Sequence, residues 1–315
     1  MRIIGNNPAA DNAEITAVAS GTMANGNTVI VNANGTVSVV AETAVAQSLG
    51  AAATFKTSTP GSPDSVYDAG TNRVVIVYGD PSDGDKGKAI VGTVSGTDIS
   101  FGSQVVFNAG NTGAKSVTYD SASEKVVIAY KDAGNSSYGT AIVGTVSGTT
   151  ISFGSEVVFA SATIVEIKST FDSASNKVVI SYIDQDNSNY GIAIVGTVSG
   201  TSISFGTAAV WNSNRSDFTS IAFDSSANKV VITFASATGS PSYEGKAIVG
   251  TVSSTNISYA SAVVFESGRT ENTSVVYEAN AQKVVIAYKD KGNSSYGTAI
   301  VGTISGTSIS FGTAV

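Results

Sequence analysis

Runs of consecutive apolar residues return along the chain at an almost constant spacing. The segment RVVIVY is followed by KVVIAY, KVVISY, KVVITF and KVVIAY, and the first valines of the five are Val74, Val126, Val178, Val230 and Val284. Successive copies are therefore 52, 52, 52 and 54 residues apart. The motifs AIVGT and ISFG, the latter as ISYA in the fourth copy, recur in step with them. The chain thus holds five copies of one unit, and repeats of this length indicate a repeat architecture.

Each unit predicts four short strands joined by tight turns. In the second copy these are VTYD at 117–120, KVVIAYK at 125–131, AIVGTV at 141–146, and the strand that opens with ISFG at Ile151. The links DSAS, DAGNSSYG and SGT are clusters of turn residues of hairpin length. Links this short favour antiparallel neighbours, because a parallel crossover needs a dozen or more residues.

The consecutive apolar residues Val-Val-Ile place hydrophobic side chains on both faces of the sheet, so both faces must be covered. Stacking each four-stranded sheet between copies of itself covers both, and radial closure protects the edges. The sequence therefore predicts an all-β fold in which residues 48–315 form a five-bladed β-propeller of four-stranded antiparallel blades. A β-solenoid and an open fibre array are the alternatives.

The two ends of the repeat region predict how the ring closes. The last copy stops at Val315 within ISFGTAV, short of the VVF that the other copies supply. Ahead of the first copy, LGAAATF at 49–55 aligns with FGSQVVF at 101–107. We expect residues 49–55 to be a closing strand that docks against the final blade.

Residues 1–47 precede the repeats and contain Asn34-Gly35 between two β-rich runs, which predicts a tight hairpin. A segment this short forms a poor independent core. We expect a β-rich anchoring segment that packs on the propeller, on another copy or on a larger assembly; the alternative is a loose tail.

Composition narrows the possible chemistry. The net charge is −7 with no basic run, which argues against nucleic acid as a partner. The chain has no cysteine and no histidine, which excludes disulfides, thiolate or imidazole metal sites and nucleophile–histidine pairs. Its start lacks the apolar core of a secretion signal, and no apolar run approaches the roughly 20 residues that span a bilayer. Carboxylates in DPSDGD and DQDN suit calcium but lack EF-hand spacing, so no metal or cofactor is expected.

The loops that differ most among the copies are those between the second and third strands and those that lead into the next unit. Variable loops on one face favour that face as a contact surface. Tyrosines at one place in these loops could stack on sugars beside nearby asparagines, or could instead cap grooves between blades. The candidate ligand-binding residues, which include two arginines from variable loops, are Tyr138, Tyr190, Tyr243, Tyr296, Asn135, Asn187, Asn293, Arg215 and Arg269.

Other conspicuous residues have structural interpretations. Trp211 aligns with phenylalanines of the other copies, which predicts a core position. The acids that end the first strand of each copy predict turns in which the side chain accepts a hydrogen bond from the backbone two residues on. These acids are Asp68, Asp120, Asp172, Asp224 and Glu278.

Catalysis by a glycosidase needs two carboxylates at a defined separation. Asp64, Glu166 and Asp217 each occur in one copy only and could face a central channel. The three acids lie at unequal positions within their loops, and no motif relates them to one another. The five copies, by contrast, are closely alike in sequence. We therefore predict a binder rather than an enzyme, because several equivalent weak sites can raise avidity.

The repeat wording KVVIAYKD followed by NSSYGTAIVGTVSGTTISFGSEVVF resembles repeats of virion structural proteins of tailed phages, especially marine ones. The opening ITAVASGTMANGNTVIVNANGTVSVV is similar to N-terminal segments of such fibre proteins. The resemblance implies a homo-oligomeric tail fibre or capsid fibre or decoration protein, assembled in the host cytoplasm and exposed on the virion. Residues 1–45 would anchor it to other virion proteins, and the propeller would meet a host-surface glycan. A purely structural decoration protein is the alternative.

Overall fold

The structure, a computed structural model, divides the chain into two compact units, Met1–Leu49 and Gly50–Val315. The residues that it describes are 3–4, 14–15, 18–23, 29–39, 50–237 and 243–315. Among these, no helix has the length and apolar character needed to cross a membrane.

The first unit contains short strands. They are β1 (Ile3–Ile4), β2 (Glu14–Ile15), β3 (Val18–Ala19), β4 (Val29–Val31) and β5 (Thr36–Val39). Strands β4 and β5 pair antiparallel, and the Asn32 N–H donates to the Thr36 carbonyl oxygen at 2.7 Å. Gly35 turns the chain with a φ of +79°, which glycine adopts without strain. The predicted Asn34-Gly35 hairpin is confirmed.

The second unit contains the five repeats, whose sheets we number 1 to 5 in chain order. Sheets 1 and 2 comprise β6 (Gly61–Asp68), β7 (Arg73–Asp80), β8 (Lys86–Ser95), β9 (Asp98–Phe101), β10 (Val105–Asp120), β11 (Lys125–Asp132), β12 (Tyr138–Ser147), β13 (Thr150–Phe153) and β14 (Val157–Ala160). Sheet 3 comprises β15 (Ile164–Asp172), β16 (Lys177–Asp184), β17 (Tyr190–Ser199), β18 (Ser202–Phe205) and β19 (Ala209–Asn212). Sheets 4 and 5 comprise β20 (Ser216–Asp224), β21 (Lys229–Ser236), β22 (Glu244–Ser253), β23 (Asn256–Tyr259), β24 (Val263–Glu278), β25 (Lys283–Asp290), β26 (Tyr296–Ser305) and β27 (Ser308–Phe311). A 3₁₀ turn at Pro81–Asp83 lies between β7 and β8.

Within each sheet the strands pair antiparallel in chain order. In sheet 2, Val126 lies opposite Tyr119 of the first strand and Gly144 of the third. The same register recurs in the other sheets, and the long strands β10 and β24 run from the end of one sheet into the start of the next. The predicted four antiparallel strands per repeat are confirmed, and the all-β architecture is consistent with a β-propeller-like fold.

The hydrophobic core lies between neighbouring sheets, as the consecutive valines predict. Val126 and Val127 point to opposite faces of sheet 2, and both are fully buried. Sheets 1 and 5 each have one face that is less completely covered than the other. In sheet 1 Val74 and Ile76 are only partly buried, and in sheet 5 Ala287 is exposed.

Neighbouring sheets also meet at a glycine. A Cβ on Gly154, in the link after the fourth strand of sheet 2, would lie 1.9 Å from the Thr201 carbonyl oxygen of sheet 3. No side chain fits at this spacing of sheets 2 and 3, whereas Ala260 takes the equivalent position between sheets 4 and 5. Equivalent contacts, at 1.8–1.9 Å, join Gly50 to Thr97, Gly102 to Thr149 and Gly206 to Thr255.

The segment before β6 packs on sheet 1 as if it were the fourth strand of a preceding sheet. Phe55 lies 5.5 Å from Tyr78 and 6.0 Å from Phe101 between ring centroids. The equivalent Phe107 lies 5.2 Å from Tyr130 and 6.0 Å from Phe153. Leu49 lies outside the described residues, and docking of the segment against sheet 5 stays a prediction.

Candidate functional site: the pocket at the bulged first strands

A pocket of about 450 Å³ is lined by residues from the first strands of all five sheets. Two or three consecutive residues come from each sheet, at 62–64, 114–115, 166–168, 218–219 and 272–273. They include two carboxylates, two lysines, a phenylalanine and an asparagine.

A β-bulge in every first strand places these residues in the pocket. In sheet 3, pairing with the second strand is interrupted between Val165 and Lys168, and the residues between them line the pocket. Pairing breaks at the equivalent place in the other four sheets. Glu166 takes a φ of +51° and Phe218 a φ of +56°, conformations that side-chain-bearing residues rarely adopt. Bulges re-aim side chains and often lie beside active sites.

The two carboxylates both accept hydrogen bonds from the next sheet. Asp64 Oδ2 accepts from the Val117 N–H at 2.9 Å, and Asp64 Oδ1 accepts from the Ser65 N–H at 2.9 Å. Glu166 Oε2 accepts from the Thr219 N–H at 2.8 Å. Within the described part of the chain, Glu166 Oε1 has no hydrogen-bond partner. One carboxylate oxygen is therefore free to contact a ligand.

At the position equivalent to Asp64, a serine makes the same inter-sheet contact in two other sheets. Ser116 Oγ accepts from the Ser169 N–H at 3.0 Å, and Ser220 Oγ accepts from the Val275 N–H at 3.1 Å. A hydroxyl therefore suffices to join the sheets at this point. The carboxylate of Asp64 therefore adds negative charge that this contact does not require, and Glu166 adds a second charge through a separate contact two positions earlier in its copy.

Two lysines from sheets 2 and 3 supply positive charge. Lys115 is 7% exposed, and its Nζ donates to the Gly61 carbonyl oxygen at 3.2 Å. Burial lowers the pKa of Lys115 to about 8, against the opposing influence of the Asp85 and Asp64 charges. Lys168 is exposed and, over residues 50–237 and 243–315, makes no hydrogen bond or salt bridge.

The rest of the pocket is partly apolar and partly polar. Phe218 and the buried Ile167 provide apolar wall, while Thr219 Oγ1 donates to the Glu166 carbonyl oxygen at 3.2 Å. The Asn272 amide is exposed and has no partner among the described residues. An apolar wall beside unpaired hydrogen-bonding groups is typical of small-ligand sites.

The repeated tyrosines predicted as ligand contacts lie at the start of third strands, away from this pocket. Tyr138, Tyr190 and Tyr296 donate their main-chain N–H groups to the carbonyl oxygens of Asn135, Asn187 and Asn293 at 2.9–3.0 Å. These asparagines therefore help to form the turns. Ligand binding by them stays a prediction.

The remaining predicted residues are brought together in part. Arg269 lies over the Tyr243 ring, 5.0 Å from its centroid, and forms a salt bridge with Glu271 at 3.0 Å. Arg215 pairs with Asp217 at 3.0 Å. None of the nine predicted ligand-binding residues lines the pocket. Of the three acids weighed as a catalytic set, Asp64 and Glu166 line it and Asp217 does not.

The structural interpretations of other residues are confirmed. Trp211 is 5% exposed, packs on Phe234 at 4.7 Å and donates from Nε1 to Ser181 Oγ. The five acids that end first strands accept main-chain N–H groups two residues on, as in the 2.9 Å bond from Ala122 to Asp120.

The carboxylates weighed for calcium have other partners. Asp80 binds the ammonium groups of Lys56 and Lys88 at 2.8 and 2.7 Å. Asp184 and Asp186 accept main-chain N–H groups of the surrounding turns.

Sequence reasoning did not select Lys115, Lys168 or Asn272. A signal was nevertheless present at the bulge. Residue 62 and its equivalents at 114, 166, 218 and 272 are serine, alanine, glutamate, phenylalanine and asparagine, whereas the Val-Val-Ile core is unchanged in all five copies.

No protein family model matches the chain, and no curated protein does. Among solved structures, a novel α-L-arabinofuranosidase from Clostridium thermocellum is similar over 80% of this chain and 92% of its own, with 12% sequence identity and a TM-score of 0.44. A likeness of this size assigns neither an activity nor a residue role to the present chain.

This finding corrects two predictions. The neighbour is a glycoside hydrolase and not a virion protein, which contradicts both the virion-appendage function and the absence of enzymatic activity. Neither is retained. The phage resemblance, the virion partners, the homo-oligomer and the virion location stay predictions.

Proposed function

We propose that the second unit is a glycoside-cleaving enzyme whose active site is the pocket at the bulged first strands. The observation that carries this proposal is that bulges in five strands converge on one pocket, where Asp64 and Glu166 are the carboxylates. They come from sheets 1 and 3, so the fold brings together acids that are far apart in sequence.

The hydrogen bonds suit the two carboxylates to different roles. Glycoside hydrolysis needs a carboxylic acid that protonates the leaving oxygen and a second carboxylate that acts as base or nucleophile. Both oxygens of Asp64 accept main-chain N–H groups, which suits it to the carboxylate role. Glu166 Oε1 is free to give its proton to the glycosidic oxygen as the C–O bond breaks. Water then supplies hydroxyl to the anomeric carbon, and its proton passes to a carboxylate.

The test is hydrolysis of a panel of polysaccharides and aryl glycosides by the full chain, read as released reducing sugar or aglycone. Glu166→Gln and Asp64→Asn keep an oxygen that can accept the inter-sheet N–H but remove acid–base chemistry. Each should lower kcat by about 100-fold or more on a substrate that the wild type cleaves. Asp217→Asn, outside the pocket, is the matched control and should retain activity. Absence of hydrolysis across the panel, or full activity of Glu166→Gln, would overturn the proposal.

We further infer that the five sheets are the blades of a five-bladed propeller. A single pocket lined by all five first strands supports this count, because such strands must surround a common axis. Side-by-side packing of successive first strands supports it as well.

The contact of an aromatic ring with a glycine supports closure by residues 49–55. A Cβ on Gly139 would lie 2.6 Å from the ring of Phe159, and Gly87, Gly191 and Gly245 lie equally close to Phe107, Trp211 and Phe265. Among the described residues, Phe55 included, nothing lies within 4 Å of a Cβ on Gly297 of sheet 5, so this position is open to an aromatic ring. Phe55 is the equivalent aromatic residue without a glycine, and we propose that it closes the ring on Gly297.

A further inference from the structure

The pocket contains two positive charges that form no ion pair within the described part of the protein. The chain has a net charge of −7 and only 17 lysines and arginines, yet Lys115 and Lys168 lie together in this pocket. Some other lysines pair with acids, as Lys88 does with Asp80 at 2.7 Å. Others, such as Lys125 and Lys229, bind only main-chain carbonyl oxygens of the residues that the structure describes, but neither of these two is as deeply buried as Lys115. Over the described residues, neither pocket lysine has a carboxylate partner.

Lys115 has unused hydrogen-bonding capacity in a buried place. An ammonium group has three N–H donors, and its one bond is to the uncharged Gly61 carbonyl oxygen. The side chain is 7% exposed. Burying an ammonium group whose only hydrogen bond is to an uncharged carbonyl is costly, so such a group is expected to serve a ligand or a reaction.

We propose that Lys115 and Lys168 form an anion-binding side of the pocket, so that the glycoside it takes carries a carboxylate, as a uronic acid residue does. This inference rests on the proposed function and adds the substrate class to it. A singly charged carboxylate fits better than a phosphate, because the acids of the same pocket repel a doubly charged group more strongly.

The charge of Lys115 gives the site a characteristic pH dependence. Asp64 on β6 and Asp85 just before β8 are the charged groups that act on its ammonium group, and burial opposes them. The amine is protonated below its pKa of about 8 and loses its charge above it. Affinity for a uronate should therefore be full at neutral pH and fall as the pH rises through 8, with a midpoint displaced upward when the ligand is bound.

The experiment compares uronic acid oligosaccharides with the same oligosaccharides after chemical reduction of their carboxyl groups. Binding of oligogalacturonides and oligoglucuronates to the full chain is measured by calorimetry at pH 7. The acidic form should bind at least 10-fold more tightly than its reduced counterpart. Lys115→Met and the exposed Lys168→Met should each remove most of that preference. Lys177→Met, at the start of β16 outside the pocket, is the matched control.

The possible outcomes separate this inference from the proposed function. Equal affinity for the acidic and reduced forms would overturn the anion-binding side while leaving glycoside cleavage intact. Tighter binding of sulfated or phosphorylated sugars would overturn the carboxylate assignment. Failure of every oligosaccharide, acidic or neutral, to bind or be cleaved would remove both. If Lys115→Met does not fold, Lys168→Met still decides the question, because that side chain is exposed and unpaired.

Discussion

At the scale of single residues, one hydrogen bond recurs between neighbouring first strands. A side-chain oxygen accepts a main-chain N–H of the next sheet at one position of the repeat, which is Asp64, Ser116 or Ser220. Glu166, two positions earlier in its own copy, accepts the Thr219 N–H at the bulge. The donors Val117, Ser169 and Val275 lie just beyond the bulge of their strand, and the bond gives each main-chain N–H an acceptor. At Asp64 and Glu166 the contact between neighbouring sheets and the charge of the pocket therefore come from the same side chain.

Replacing a serine acceptor tests how much this hydrogen bond contributes to the free energy of unfolding. Ser220→Ala leaves the Val275 N–H without its acceptor, so the free energy of unfolding should fall by about 1 kcal/mol. Urea denaturation measures the change, and Ser204→Ala on the exposed face of β18 is the control. Equal stability of the two variants would show that the contact contributes nothing.

Residue-level features of the core could be predicted from the sequence, whereas the pocket could not. Trp211 and the first-strand acids repeat in register, so alignment of the copies gives their environments. The pocket depends on a bulge that leaves two residues of each first strand unpaired, and no motif marks a bulge. Lys115 gains its role from the Gly61 carbonyl oxygen and from burial, which only the folded backbone provides.

At the scale of elements, the strands follow directly from the apolar pattern, but the contact that spaces the sheets is backbone to backbone. Gly154 approaches Thr201 so closely that no side chain fits. Gly312 is its equivalent in sheet 5, and there the nearest atom to a Cβ is the Val301 carbonyl oxygen at 3.9 Å. Two glycines at equivalent positions of the repeat therefore have different surroundings.

This difference provides a matched pair of variants. Gly154→Ala must push sheets 2 and 3 apart and should lower the free energy of unfolding by about 2–3 kcal/mol. Gly312→Ala has room for its methyl group and should be nearly neutral. Thermal unfolding of both variants decides the matter. A neutral Gly154→Ala would mean that the sheets are spaced more widely than described.

At the scale of the whole second unit, the proposed closure concerns the third strand of sheet 5 and the segment that precedes sheet 1. Val315 pairs with Ala299 of β26 at 2.8 and 2.9 Å, as Val105 pairs with Ala89 in sheet 1. The next positions of β26, Thr298 and Gly297, correspond to those that Val106 and Phe107 cover on β8. In the register of the repeat, the equivalent residues that would cover them are Thr54 and Phe55.

A disulfide can test this closure, because the chain has no cysteine of its own. If residues 49–55 close the ring in the repeat register, Thr54→Cys and Thr298→Cys bring two thiols within bonding geometry. Mild oxidation should give an intramolecular link, seen as a faster-migrating monomer on a non-reducing gel. Thr54→Cys with Ser305→Cys, at the far end of β26, is the control and should not link. A covalent dimer, or no link, would contradict closure within one chain.

The central claim is that a sugar binds where the five bulged strands converge. The most direct measurement is a crystal structure of the Glu166→Gln variant soaked with the oligosaccharide that the wild-type chain binds best. We predict a sugar ring in the pocket, with the glycosidic oxygen at residue 166 and the anomeric carbon toward Asp64. A sugar held only at the loops of Tyr138 and Tyr190, with the pocket filled by solvent, would contradict the account.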